Sequence, residues 1–491
     1  MAIEIRDNAT HFRREILVRL ARLFVNGKLV EEVDRIPVDV LSGDETPYRC
    51  CVYKERAILR TRCLAALGFR VEEDDEFTPL SEYARRALAR EKPSSPVMTV
   101  LDIACNECVP SRYVVTELCQ SCLARSCAVN CPFGAIDISH GRARIDPEKC
   151  KNCGRCKEAC PYQAIMRCIV PCEEACPVGA IHKGKGARAE IDFDKCVSCG
   201  RCMRACPFGA VMERSQIIDI LQKLKEAGKK VVAMVAPAIA GQFPGTVEQV
   251  VSALKQLGFS SVIEVAVGAD ITTRNEAKEF IERMERGDLF MTTSCCPGYI
   301  ETVRRHVPEL AQFVSDTATP MHYTAELAKQ RDPDCITVFV GPCVAKRYEG
   351  MNDPMIDYVM TFEELGALFV ASDIEVANCE QAKFDEFPSL EGRGFAITGG
   401  VAAAVKAAVD GRVELNPVCI NGIKPAMLRL FKTYPKGKNP GNLIEMMTCE
   451  GGCVAGAGVL GNPKQAAKQV TKFSEQAEHI EPIPMPNGHK E

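Results

Sequence analysis

From residue 230 onward, short apolar runs alternate with longer segments whose apolar positions recur every three or four residues. The runs 231–235, 261–267 and 289–292 read as strands, with helices over 247–257 and 273–286 between them. Further strands are expected over 336–340, 358–361 and 395–397, and further helices over 362–370 and 401–409. Strands alternating with helices argue for an α/β arrangement of parallel sheets joined by crossover helices. Near the other end, 12–24 places Ile16, Leu17, Leu20 and Phe24 on one helix face and arginines on the other. A docked helix with a solvated basic face explains this better than a membrane anchor. A Pro-Ser-Ser-Pro stretch at 93–96 reads as a linker, 215–230 as an amphipathic connecting helix ending near Gly228, and 463–491 as a short helix with a polar tail.

Composition changes this picture in one respect. The 491 residues suit two or three domains, and 46% apolar content, a net charge of −4 and a pI near 6.1 are ordinary. They give no pull towards nucleic acid. No apolar run has transmembrane length and the first residues do not form a signal peptide, so no membrane is expected and the location is read as cytoplasmic. The 28 cysteines are the exception. A chain this long without a secretory leader, with cysteines at metal-ligand spacing, points to metal in a reducing compartment rather than to disulfides.

Between 104 and 212 the unit Cys-Pro-x-x-Ala-(Ile or Val) occurs four times, beginning at Cys131, Cys160, Cys176 and Cys206. Two perfect runs precede two of these, Cys150-x2-Cys153-x2-Cys156-x3-Cys160-Pro161 and Cys196-x2-Cys199-x2-Cys202-x3-Cys206-Pro207. This is the bacterial ferredoxin spacing, in which three cysteines wrap one 4Fe–4S cubane and the fourth serves its neighbour. Zinc sites instead pair two Cys-x2-Cys knuckles across a longer gap. The run Cys119-x2-Cys122-x4-Cys127-x3-Cys131 is altered but keeps four thiols. The ferredoxin rule then assigns one cluster to Cys119, Cys122, Cys127 and Cys160, a second to Cys150, Cys153, Cys156 and Cys131, and a third to Cys196, Cys199, Cys202 and Cys176. Cys168, Cys172 and Cys206 leave a fourth cluster one ligand short, which Cys105 or Cys108 could supply unless that pair is structural. Three to four accessory clusters are therefore expected. Cys50, Cys51 and Cys63 lack any such spacing and read as reduced structural thiols, and isolated Cys335, Cys379 and Cys419 as buried free thiols.

Three later motifs also end apolar runs: Thr293-Ser-Cys-Cys-Pro-Gly298, Pro342-Cys-x-x-Lys346-x-x-Glu349, and Glu445-x-Met447-x-Cys449-x-Gly-Gly-Cys453-x-x-Gly456-x-Gly458. In α/β sheets such strand ends are where ligands bind. Together these motifs resemble the signatures of iron–iron hydrogenases over about residues 230–460, in a divergent monomeric branch. The resemblance implies a catalytic domain of parallel sheets in two lobes, preceded by tandem ferredoxin-like (α+β) 4Fe–4S domains. It implies an H-cluster, a 4Fe–4S cubane joined to a two-iron centre with CO, cyanide and a dithiolate. Carried over, Cys296, Cys343, Cys449 and Cys453 hold the cubane and Cys453 bridges. Cys295 passes protons, Lys346 donates to a cyanide, and Met447, Ala236 and Pro237 line the pocket. Glu276, Glu279 and Arg283 share one helix face by spacing, which by itself fits either a solvated charged face or a proton relay. The resemblance favours the relay and adds Ser315. Gly341, Tyr299, Ala238 and Met321 depart from the family's usual residues, and 1–100 lacks a plant-type ferredoxin.

The division expected is 1–100 largely helical and of unknown role, 101–214 cluster-binding, 215–229 connecting, 230–462 catalytic and 463–491 a tail. The implied activity is 2H+ + 2e− ⇌ H2 in an anaerobic setting. Its partners would be H2 and protons, a ferredoxin or similar electron carrier, and hydrogenase maturation proteins. Two alternatives stand beside it. One is a low-turnover H2 or redox sensor. The other is a non-catalytic iron–sulphur assembly protein, against which Cys295 argues.

Overall fold

The computed structural model describes residues 7–42, 48–139 and 141–483. Parts of the expected N-terminal region and the end of the expected tail thus lie outside the described residues.

Two parallel sheets form the frame of the second half. Strands β9 (Val231–Val235), β10 (Ser261–Glu264), β12 (Ile336–Gly341) and β13 (Tyr358–Thr361) make one, in the order β10-β9-β12-β13. Strands β11 (Met291–Thr292), β14 (Pro417–Asn421) and β15 (Leu443–Met447) make the other, in the order β11-β15-β14. Every residue of β9 and β15 is buried, as expected of parallel strands covered on both faces. The expected strand over 395–397 does not form. Residues 395–397 turn between the short helix Leu390–Gly394 and the helix Gly400–Val409. The segment is held instead by helix-end hydrogen bonds such as Ile397 N to Gly394 O. The helix expected to begin at 273 starts seven residues earlier and spans Ala266–Arg286, so the strand before it stops at Glu264.

The cluster-binding region contains two copies of one pattern, and they are nested. Strand β2 (Arg112–Val115) pairs antiparallel with β5 (Ile165–Cys168), around the hairpin β3 (Ile136–Ser139) and β4 (Arg142–Ile145). Strand β1 (Met98–Val100) pairs in the same way with β8 (Val211–Glu213), around β6 (Ile181–Lys183) and β7 (Ala189–Ile191). The first copy is therefore inserted between Cys108 and Cys172 of the second. Corresponding glycines, Gly154 and Gly200, take left-handed φ of 81° and 73° where the chain turns into the helix inside each perfect cysteine run.

The described residues before 98 form a helical layer over the second copy (β1, β6, β7 and β8), the inner one in space, and over the first parallel sheet; the inserted copy is the outer one. Helix Asn8–Val25 buries Ile16, Leu17 and Leu20 and lies along helix Phe362–Ala371. Arg13 grips Glu363 with two bonds of 2.9 Å, and Arg14 adds another pair. Behind them Arg347, fully buried, bonds Glu364 and lies 3.1 Å from Glu213 of β8. The connecting helix runs Ile217–Lys225. Among the described residues no helix is long and apolar enough to cross a membrane. Cys63, Cys335 and Cys379 are buried, but Cys419 and Cys50 are exposed. Cys419 sits on edge strand β14, which β15 covers on one side only.

Candidate active site and cluster cavities

Both sheets deliver their strand ends to one cavity. Strand β9 ends in Ala236-Pro237-Ala238, β11 leads into Cys295 and Cys296, β12 into Pro342 and Cys343, and β15 into Met447 and Cys449. All of these line one hollow, together with Lys346, Cys453, Met321 and Phe339. The four cysteines expected around a cubane thus share one cavity with Cys295. Burial pushes the Cys343 and Cys453 thiols up to about 11 and about 12, and Cys449 well above its ordinary value. A bound metal offsets such burial, because it takes the deprotonated thiolate as its ligand. Gly341 explains one departure: a Cβ there would meet the Phe339 ring at 2.3 Å, so the small residue makes room for an aromatic that lines the cavity. Tyr299, another departure, is buried and its hydroxyl bonds Thr292 at 2.7 Å.

Lys346 is buried and donates to Glu349 at 2.8 Å and to Thr319 Oγ1 at 3.2 Å. The ion pair keeps the ammonium charged, since neighbouring carboxylate and thiolate charge outweigh the burial. Glu276 lies fully buried on helix Ala266–Arg286. Its Oε1 accepts from Ser294 N at 3.0 Å and Ser294 Oγ at 3.2 Å, while Oε2 has no partner. Burial raises its carboxyl to about 7, and its charge acts on the Cys295 thiol. Ser315 Oγ donates to Glu279 at 2.6 Å, Thr317 Oγ1 to the same oxygen at 3.2 Å, and Arg283 lies 2.6 Å from Glu279. The single Ser294 hydroxyl proton can go instead to the Thr317 carbonyl, 2.6 Å away. Sequence reading missed Ser294, Thr317, Thr319 and Thr448, whose hydroxyl accepts from Cys296 Sγ at 3.4 Å. Only Ser294, beside the paired cysteines, carried a signal.

The remaining cysteines also gather around hollows. One of about 380 Å³ is lined by Cys119, Cys122, Cys127 and Cys160, and one of about 310 Å³ by Cys131, Cys150, Cys153 and Cys156. Cys176, Cys196, Cys199 and Cys202 influence one another electrostatically, and Cys199 influences Cys449 of the large cavity. Cys172 feels Cys206 and Lys183, and Lys183 Nζ reaches Cys105 Sγ at 3.8 Å. Cys108 packs in the same core as Cys172. Cys168 is placed apart from this pattern. It ends β5 opposite Arg112, at the position Arg214 occupies after β8. Among the described residues no three ligand-type side chains close on a point as those of a single ion do.

Residues 229–457 match the family described as iron only hydrogenase large subunit, C-terminal domain, and residues 143–166 and 189–212 match the 4Fe–4S binding domain. The periplasmic [Fe] hydrogenase large subunit of Nitratidesulfovibrio vulgaris is 31% identical over 64% of this chain and 85% of its own. The chain belongs to the iron-only hydrogenase family. Iron hydrogenase 1 of Clostridium pasteurianum is 29% identical over 77% of this chain and 76% of its own. A cytosolic Fe–S cluster assembly factor of Kluyveromyces lactis is 26% identical over 22% of this chain and 24% of its own. As a member of this family the protein is of the oxidoreductase type and binds 4Fe–4S clusters. The two 4Fe–4S matches cover equivalent halves of the nested copies, each a strand, a perfect cysteine run and the closing strand.

Proposed function

We propose that the protein is an iron–iron hydrogenase that interconverts 2H+ + 2e− and H2, exchanging electrons through four accessory 4Fe–4S clusters. The observation that carries this reading is the shared cavity, with four thiols for a cubane and a fifth, Cys295, beside a buried carboxylate with one unpaired oxygen. In this reading Cys296, Cys343, Cys449 and Cys453 hold the cubane. A two-iron centre joined to that cubane would supply the heterolytic cleavage of H2. The chain's own residues do the rest. Ala236, Pro237, Met321 and Met447 keep the cavity apolar and exclude water. Lys346, held by Glu349 and Thr319, presents a fixed positive donor to a cyanide ligand. Cys295 hands the proton to Glu276, and Ser294 and Thr317 lead towards Glu279 and Ser315, which Arg283 anchors. A carbonyl cannot relay a proton, so passage from Ser294 to the Thr317 hydroxyl would need a water molecule between them.

Electrons take the other side. The repeat assigns the ligands of the inner copy by correspondence with the outer one: Cys105, Cys108, Cys172 and Cys206 match Cys119, Cys122, Cys127 and Cys160, leaving Cys168 unligated. Cys202 near Cys172 and Cys199 near Cys449 then order the inner clusters into a path to the cavity. Infrared spectra of the chain matured with the two-iron cofactor test the reading. Carbonyl and cyanide bands with H2 evolution from a reduced dye are expected. A cubane without those bands would indicate the assembly role of the Kluyveromyces relative instead.

A further inference from the structure

Helix Val52–Ala66 of the N-terminal layer carries Arg62, which is only 3% exposed. Its guanidinium donates to the Phe208 carbonyl at 3.0 Å and to Met212 Sδ at 3.7 Å, and pairs with no carboxylate among the described residues. Glu363 is held by Arg13 and Arg14, and Glu55, the carboxylate that acts on Arg62, lies 3.8 Å from Arg49 with its Oε1 unbonded. Arg49 also donates to Phe208 O, at 3.0 Å. Two arginines therefore clamp the turn Cys206-Pro-Phe208-Gly209, and the room for Arg62 exists because residue 209 lacks a side chain: a Cβ there would meet Nη2 at 2.8 Å. Burial and the charges of Arg49 and Arg13 push Arg62 down to about 10, and Cys206 and Glu55 act in the opposite sense. A buried guanidinium without a counter-charge is costly. Such a position implies an anion.

A 4Fe–4S cluster on four thiolates is that anion, carrying two negative charges oxidised and three reduced. The corresponding turn of the outer copy, Cys160-Pro-Tyr162-Gln163, has Tyr162 51% exposed and no arginine on its carbonyl. We propose that Arg62 is the buried charge partner of the cluster held by Cys105, Cys108, Cys172 and Cys206, and that it sets that cluster's reduction potential above that of its outer counterpart. The first hundred residues thereby act on electron transfer, not only on packing. Cluster potentials follow net charge, hydrogen bonding and exposure, and a fixed positive charge in a low-dielectric setting favours the more negative, reduced form.

This rests on the ligand set proposed above, and the test separates the two. Full-length protein, reconstituted with iron and sulphide but without the two-iron cofactor, is titrated redox-wise under EPR, with iron counted, for the wild type, Arg62→Gln and Arg62→Lys. The expected result is unchanged iron in all three. One accessory signal should move negative in Arg62→Gln by at least a factor of ten in its reduction equilibrium, about 59 mV for a one-electron couple. Arg62→Lys should remain near the wild type. Loss of that cluster in Arg62→Gln but not in Arg62→Lys would also support the role. An unmoved potential in Arg62→Gln, or the same loss in both variants, would overturn it. Failure of the ligand set would appear differently: the same preparation with Cys105→Ser or Cys108→Ser would keep its full iron while Cys168→Ser lost a cluster.

Discussion

The inner and outer cluster modules share strand pairing, helix entry at a left-handed glycine and nearly the same cysteine spacing, yet their surroundings are opposite. The outer module, inserted after Cys108, leaves Leu118, Val129, Met166 and Ile169 exposed, and Leu123 is 97% exposed. Most of its cysteines are partly exposed and Cys153 is exposed, although Cys156 is buried. The inner module is wedged between the N-terminal helices and the catalytic sheets. Arg201 donates to the Ile423 and Thr448 carbonyls and Arg204 to the Gly456 carbonyl, so its helix is bolted to the loops that carry Cys449 and Cys453. Burial drives Cys199 up to about 12 and Cys202 well above its ordinary value. One sequence pattern thus serves two environments, an accessible one where a carrier can dock and a dry one next to the cavity. Spacing sets the cluster type, while the surroundings set what the cluster can do.

The comparison is broken most directly by removing one ligand from each module. Cys199→Ser should nearly abolish H2 evolution from reduced dye and lower the iron content. Cys153→Ser should lower iron by a similar amount while retaining dye-driven turnover, because dye can reach the inner clusters. Equal loss of turnover in the two variants would show that the outer module is an obligatory route.

Proton-side variants should ignore the distinction between modules. Glu276→Gln and Glu279→Gln should each slow turnover by on the order of 10²-fold with every electron donor, the effect of losing one proton-transfer group. The double variant should be no slower than either single one if both act on one path. Rates measured at matched cofactor occupancy decide this, and wild-type rates would mean the helix face is merely structural.

The seams should differ in stability as well. Arg347→Met leaves Glu364 and Glu213 buried without their cation and should cost about 3–5 kcal/mol in denaturant unfolding. Arg142→Ala removes the outer module's ion pair with Glu117, whose side chain is 91% exposed, and should cost about 0–1 kcal/mol.

The smallest effect is on pH dependence. Glu276 faces Ser294, Cys295, Glu279 and Glu445, and burial raises its carboxyl from 4.5 to about 7. Its folded form binds the proton more tightly than its unfolded form. The resulting stabilisation is fully present below 4.5 and is lost as pH rises through about 7. Glu276→Gln should flatten the stability profile in that window, measured by thermal unfolding at a series of pH values.

Sequence by itself determined the chemistry that depends on local spacing. Thiolates three residues apart wrap one cubane whatever surrounds them, so the perfect runs from Cys150 and Cys196 were legible. Apolar runs such as β9 and β13 were legible too, because strands buried on both faces need continuous hydrophobicity. The tertiary structure decided what depends on residues distant in the chain. The strand expected at 395–397 failed because no partner edge reaches it, and β14 emerged only through pairing with β15. The nesting of the two modules was invisible, since Cys105 and Cys172 are separated by a whole inserted copy and meet only when β1 pairs with β8. The same holds for Arg62, Ser294 and Thr317. Their identities are ordinary, and their roles arise from burial and from the neighbours that folding brings to them, neither of which local periodicity encodes.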